Sequence, residues 1–153
     1  MPIYKLYSRS LSTGQQARTK DKDFVRNVEF IYDTASDGKP LYIGWLALTE
    51  FKNSISDESI QGIRFRKGNI LVGDNSTFAK FFPLSALEGS RANKFFAGEI
   101  HVLHEDMTPN SQRDDFEPSP VYNEMKQLLS EWAGTINKKY RRGIYETASY
   151  KDY

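Results

Sequence analysis

The pattern that most restricts this chain lies in its last third. From Val121 to Tyr140 the apolar residues Val121, Met125, Leu128, Leu129, Trp132, Ile136 and Tyr140 recur three or four positions apart, the stripe of an amphipathic helix with one face to bury. Ser119 stands before it as an N-cap and Pro120 takes the first helical position, where a missing N–H costs nothing. A helix over 120–140 with so continuous a stripe must cover something. The residues before it supply strands.

Phe24 to Thr34 places Val28, Phe30 and Tyr32 on one side at period two, which predicts a half-buried strand with these three facing the core. Asp37-Gly38-Lys39-Pro40 turns the chain, and Leu41 to Phe51, rich in β-branched and aromatic residues, answers as the second arm of an antiparallel hairpin. Ser54 to Ser59 reads as a turn. Gly62 to Arg66 and Asn69 to Val72 are strand-like runs around Lys67-Gly68, either a tight turn or a bulge. A short helix is expected from caps at Asp74 to Thr77 through Phe82, ended by Pro83. Lys94 to Leu103 returns to strand, with Phe96, Ile100 and Val102 on one face and Phe95 and Leu103 on the other. Ile3 to Tyr7 is a further short alternation, 8–23 reads as a mobile loop, and 141–153 as a tail that frays. The expected class is α+β, a sheet covered by helices with a long C-terminal helix, as one domain over 1–153.

Composition narrows the function. Twenty-one Lys and Arg against 20 Asp and Glu leave a formal charge of +1, so no global field draws the chain to nucleic acid or to an anionic membrane. The absence of Cys removes disulfides, thiolate nucleophiles and Cys-based metal sites. No apolar run approaches the ~20 residues that span a bilayer, and Met1 to Leu6 is not a signal peptide. The chain reads as cytoplasmic, with no membrane contact.

Chemistry has few footholds. His101 and His104 lie three apart, which on a strand sends them to opposite faces, and they read as partly exposed histidines, with no metal site expected. No nucleotide-binding glycine motif is present, and there is no Gly-x-Ser-x-Gly elbow. Asn75-Ser76-Thr77 fits a glycosylation pattern but serves more simply as a helix cap. Basic residues gather at Arg64, Arg66 and Lys67, at Arg18, Lys20 and Lys22, and at Lys138, Lys139, Arg141 and Arg142, where they complement a helix C-terminus. The densest polar segment is 104–117. Its one cation, Arg113, sits among Glu105, Asp106, Asp114, Asp115 and Glu117, and on composition alone Arg113 is neutralised by these neighbours.

In the same segment, Asp106-Met107-Thr108-Pro109-Asn110-Ser111-Gln112-Arg113-Asp114 resembles the Asp-Leu-Pro-Leu-Asn-x-x-Arg-Glu loop of the ninety-kilodalton heat-shock chaperones, in the middle (transducer) domain of these GHKL ATPases. Ile63-Arg64-Phe65-Arg66 through Gly73-Asp74 is similar to that family's Leu-Tyr-Val-Arg-Arg strand pair, and Asn93-Lys94-Phe95-Phe96-Ala97-Gly98 to its Leu-Asn-Phe-x-x-Gly strand start. The Microrchidia ATPases are similar too, with Pro-x-x-Asn-Lys-x-x-Phe, a Lys at the position of Arg113 and a Phe at that of Phe116. Relative to the chaperone pattern two residues are added between Gly98 and Glu105, and Pro109 replaces the Leu beside Asn110.

The resemblance spans about 24–140. It implies a two-layer ribosomal-protein-S-five-like fold and a chain without its ATP-binding domain, so that 1–153 is a piece of a longer ATPase or the partner of a separate nucleotide-binding subunit. It gives Arg113 and Asn110 the catalytic roles and sets Arg113 and Gln112 toward the γ-phosphate of ATP held by a neighbouring N-terminal domain. ATP and magnesium belong to that parent; no cofactor and no activity are expected of this chain alone. The parent would be a homodimer, with a client protein as partner. The rival is a standalone RNA-binding domain using Arg64, Arg66 and Lys67, which the neutral total charge disfavours. A hydrolase built on Asp114 and Asp115 is weaker still, because adjacent side chains on an extended loop diverge.

Overall fold

Alternation in the middle of the chain and helical periodicity at its end become a sheet with helices packed on one face. The computed structural model describes the backbone of residues 10–12, 22–24, 27–48 and 54–151, and the side chains of 28–47 and 54–139. Two three-residue strands, β1 (Ser10–Ser12) and β2 (Lys22–Phe24), pair as an antiparallel ribbon within the stretch expected to be a loop. Residues 13–21 of that loop and the alternation at Ile3 to Tyr7 lie outside the described residues.

The main sheet has five strands: β3 (Asn27–Thr34), β4 (Pro40–Leu48), β5 (Gly62–Lys67), β6 (Ile70–Val72) and β7 (Ala97–Val102). Their order is β3-β4-β7-β5-β6. All neighbours are antiparallel except β5 and β7, so the sheet is mixed. The Asp37-Gly38-Lys39 turn closes the β3–β4 hairpin, with Gly38 at φ 85°. Lys67 ends β5, paired with Ile70, and Gly68-Asn69 make the tight turn between β5 and β6, so there is no bulge there. After β6 comes a 3-10 turn, Thr77–Phe81, where a short helix was expected. Then α1 (Ala86–Asn93) follows, which the sequence pattern did not announce.

Helix α2 runs Pro120–Lys151. Its start is as read: the Ser119 hydroxyl accepts the Tyr122 N–H at 3.0 Å. Its end is not, because the helical backbone passes through the supposed tail, so Lys138, Lys139, Arg141 and Arg142 lie well inside the helix and do not complement its C-terminal dipole.

Register decides which side chains share a face. Ile31 lies opposite Gly44, and Phe65 opposite Ile100 and Val72. These positions, with Tyr42, Leu46, Ile63, Phe96 and Val102, form one core with Tyr122, Met125, Leu129, Ala133 and Ile136 of α2. Val121, Leu128 and Trp132 flank it. The other face carries Phe30 opposite Trp45, and Tyr32 opposite Ile43. The set Val28, Phe30 and Tyr32 therefore shares a face, but it is the outer one: Phe30 is 72% and Tyr32 59% exposed. Strand β3 is the sheet edge, at the margin of the core, and among its described side chains Ile31 is the apolar one that packs against the core. Two further inner positions with described side chains are polar and partnered, Asp33 accepting from the Tyr42 hydroxyl and Glu29 pairing with Lys139 of α2. On the outer face Ile55 and Ile60 pack against Trp45, Ala47 and Ala97 as a small second cluster.

Leu129 is fully buried and Leu128 partly so. Leu129→Ala should cost about 2–5 kcal/mol, and Leu128→Ala less; chemical denaturation of both checks it, and a Leu129 cost under about 1 kcal/mol would mean that α2 is not docked as described.

Candidate functional site

The segment between β7 and α2 is polar, yet it is held as firmly as a strand pair. Residues 109–116 fold back on themselves: Pro109 and Phe116 form an antiparallel bridge, the Asn110 N–H donates to the Asp115 carbonyl at 2.9 Å, and the Glu117 N–H to the Thr108 carbonyl at 2.8 Å. At the tip the Arg113 N–H donates to the Asn110 carbonyl at 3.0 Å. The Asn110 amide is consumed at both ends, its Nδ2 donating to Asp114 Oδ1 at 2.6 Å and its Oδ1 accepting the Asp114 N–H at 3.2 Å. Asn110 thus braces the loop. Gln112 and Arg113 are exposed at the tip.

Arg113 has φ 57°, the only positive φ at a non-glycine among the described residues. An L-residue pays about 1–2 kcal/mol there, and such strain persists only where the surroundings impose it. Here the surroundings are identifiable. The Gly73 N–H donates to the Arg113 carbonyl at 2.7 Å, tying the tip to the end of β6. Gly73 is itself at φ 75°, and a Cβ on it would lie 2.0 Å from the Thr77 hydroxyl oxygen; that oxygen accepts the Asp74 N–H at 2.9 Å. The Asp74 carboxylate in turn accepts the Ser76 N–H at 2.8 Å. Ser76 and Thr77 therefore belong to this turn, although Ser76 makes no capping bond of its own.

The expected neutralisation of Arg113 does not occur. Among the described residues its guanidinium has no ion pair or hydrogen bond, because the carboxylates nearest in sequence face elsewhere. Asp115 pairs with Lys80 at 2.7 Å, and its other oxygen accepts from the Tyr122 hydroxyl and from the Phe116 N–H at 2.8 Å. Asp114 is bound to Asn110, and Glu105 pairs with Lys39. Burial pushes the Asp115 carboxyl up, but the bonds from Lys80, Tyr122 and Phe116 outweigh it and hold it below the ordinary carboxylate range. Burial, then the adjacent carboxylate, raises the Tyr122 phenol, which stays a donor. Asp114 and Asp115 diverge, as adjacent side chains do.

Both histidines are buried rather than partly exposed. His104 is enclosed, its Nε2 2.7 Å from Asp37 Oδ2 and its Nδ1 accepting the Asp106 N–H at 3.1 Å, so the proton sits on Nε2 and is given to the carboxylate. That contact pins the start of the segment to the β3–β4 turn. The Lys39 N–H and then His104 hold the Asp37 carboxyl low. His101 faces Glu99 at 3.2 Å on the outer sheet face. Among the described residues no group of three or more His, Asp or Glu is placed to hold a metal ion, and no helix is long and apolar enough to cross a membrane.

The chain matches no protein-family model and no curated protein. Its functional reading therefore rests on the site.

The three cations of the rival reading are engaged. Arg66 Nε lies 3.3 Å from Glu99, Arg64 donates to the Glu58 carbonyl, and Lys67 donates to the His104 carbonyl. Arg18 and Lys20 lie outside the described residues. Lys80 and Tyr122 were missed from the sequence, where Asp115 was read only as one of the acids around Arg113 and in the weak hydrolase reading; the one available signal was a Tyr in the first turn of the helix, seven residues beyond an Asp.

Two outcomes follow. Arg113→Gly removes the backbone strain but frees the unfolded chain, opposing effects of about 1 kcal/mol each; stability within about 1 kcal/mol of wild type is expected in urea titrations, and a loss above about 2 kcal/mol would make Arg113 a structural residue. A carboxyl depressed only in the folded state contributes stability that is present above its unfolded value, about 3.9, and is lost as pH falls through the folded one. Denaturation series from about pH 5 to pH 2 should show stability falling, and Asp115→Asn should flatten part of that fall. The remainder belongs to Asp37, Asp57, Asp74 and Glu105, also depressed.

Proposed function

We propose that this chain is the middle, transducer domain of a GHKL-type ATPase of the heat-shock-ninety kind, with a ribosomal-protein-S-five-like two-layer fold. In this reading Arg113 contacts the γ-phosphate of ATP held by a neighbouring ATP-binding domain. One observation carries it: a charged guanidinium at the tip of a braced hairpin, exposed and without a partner among the described residues, on a backbone held at φ 57°. The mixed sheet with a long C-terminal helix is consistent with the fold that the loop resemblance implies.

Guanidinium keeps its charge at any physiological pH, and its planar fork holds two phosphate oxygens at once. Magnesium-bound ATP supplies the reacting γ-phosphoryl group. Negative charge accumulates on that group's oxygens during transfer, and an arginine delivered from outside the nucleotide pocket is worth ~10³ to 10⁵ in rate. The chain's own part is to present the charge in a fixed place. Asn110 does so by bracing the hairpin, and Gln112, exposed beside Arg113, is a second polar group at the same tip. Engagement of the tip only in the ATP-bound arrangement links hydrolysis to domain movement, which is the chaperone-like output; a client and a second protomer of the parent are its partners in this reading.

In the protein that carries this domain beside its ATP-binding domain, Arg113→Ala should leave ATP affinity within a few-fold and lower kcat by ~10²-fold or more. Arg113→Lys should fall between. Steady-state ATPase assays with thermal melts of the same variants test this; wild-type turnover in a stable Arg113→Ala protein refutes the assignment.

A further inference from the structure

We infer that Asp115 is a positioning residue for Arg113: held by Lys80 from the 3-10 turn and Tyr122 from α2, it locks the hairpin that presents the guanidinium. This rests on the phosphate-contacting role of Arg113 and goes beyond it, because Asp115 never touches the nucleotide and acts only through its neighbour's place.

Three features converge on Asp115. Its side chain takes Lys80 at 2.7 Å on one oxygen, and the Tyr122 hydroxyl and its own hairpin's Phe116 N–H on the other. Its main-chain carbonyl accepts the Asn110 N–H at 2.9 Å, closing the hairpin two residues from Arg113. Its partners are themselves fixed. Tyr122 is 3% exposed, with its ring 5.8 Å from that of Phe116. Lys80 lies on a turn whose Phe78 and Phe81 are in the core, and its Nζ also stands 3.4 Å from the Tyr122 hydroxyl. One carboxylate thus joins the hairpin to two rigid elements, the 3-10 turn 35 residues before it in sequence and the first turn of α2. The other lock is the Gly73 N–H on the Arg113 carbonyl, at 2.7 Å. Both are needed to hold an L-residue at positive φ. A guanidinium placed even about 1 Å wrong forfeits much of its effect on a transferring phosphoryl group.

The test uses Asp115→Asn, which keeps the shape and removes the charge, and Tyr122→Phe, which keeps the ring and removes the hydroxyl, should the first fail to fold. In the protein with its ATP-binding domain, three quantities are read: melting temperature, exchange of the Gly73 amide, and kcat and KM for ATP. Each variant should stay folded, exchange Gly73 on the order of 10-fold faster, and lose on the order of 10-fold in kcat with KM within about twofold. Combined with Arg113→Ala, Asp115→Asn should lower kcat no further, the signature of two residues acting as a unit. Wild-type kcat in a folded Asp115→Asn protein, unchanged Gly73 exchange, or losses that multiply in the double variant would each overturn the proposal. Wild-type turnover in Arg113→Ala alone is a different result: it removes the phosphate role, and with it any catalytic positioning by Asp115.

Discussion

The structure hangs on the ring of Phe65. It stands on β5 in the inner face of the sheet, with Phe78 and Phe81 of the 3-10 turn 6.0 and 5.6 Å away and Phe116 of the hairpin edge-on at 6.4 Å. Phe78 passes the contact to Trp132 of α2 at 5.7 Å and to Phe82, which stacks on Phe96 next to β7. Each such ring removes about 150–250 Å² from water and prefers tilted or edge-on neighbours. Sheet, turn, helix and hairpin therefore settle together. A polar segment of Asp, Asn, Ser and Gln would not be ordered by its own composition; Phe116 at its base anchors it, and the hydrogen bonds then fix its tip.

Legibility followed burial. Where a strand or helix is buried across its width, the period in the sequence was the period in the fold: Phe96 before β7, Ile100 and Val102 on it, and Met125, Leu129 and Ile136 of the stripe on α2 face the core as read, while the Tyr140 side chain lies outside the described residues. Strand β3 failed that test because it is an edge. Its Val28, Phe30 and Tyr32 point outward, and beside Ile31 its inner positions hold Glu29 and Asp33, whose partners, Lys139 and Tyr42, come from elsewhere in the chain. Helix α1 was invisible for another reason. Its buried positions are Gly89, Ala92 and Asn93, while Leu87 is exposed. It packs so close that a Cβ on Gly89 would lie 2.7 Å from the Ala79 carbonyl oxygen. Closeness by small residues leaves no apolar stripe to count.

At the site, the lone cation was legible and its surroundings were not. A reading confined to neighbours in sequence balances Arg113 against five carboxylates, since charges a few residues apart are assumed to meet. Two of those carboxylates are instead claimed by Lys39 and Lys80, 66 and 35 residues away from the acids they bind. Such pairs depend on the hairpin and crossover bringing distant turns to one end of the sheet, and no local spacing encodes them. The buried setting of His104 escaped for the same reason, because its partner Asp37 belongs to the β3–β4 turn.

What remains is an asymmetry that folding does not explain. Stability gains nothing measurable from an exposed guanidinium without a partner, and the backbone beneath it is held in a region that costs an L-residue about 1–2 kcal/mol. Glycine would relieve that strain, and a residue free to leave positive φ would avoid it. Instead two contacts, the Lys80 pair with Asp115 and the Gly73 N–H on the Arg113 carbonyl, hold the hairpin in this conformation. Local rules and global packing otherwise agree throughout the described core. Where they part company, at one exposed, charged residue held at positive φ, lies the observation on which the proposed phosphate contact rests.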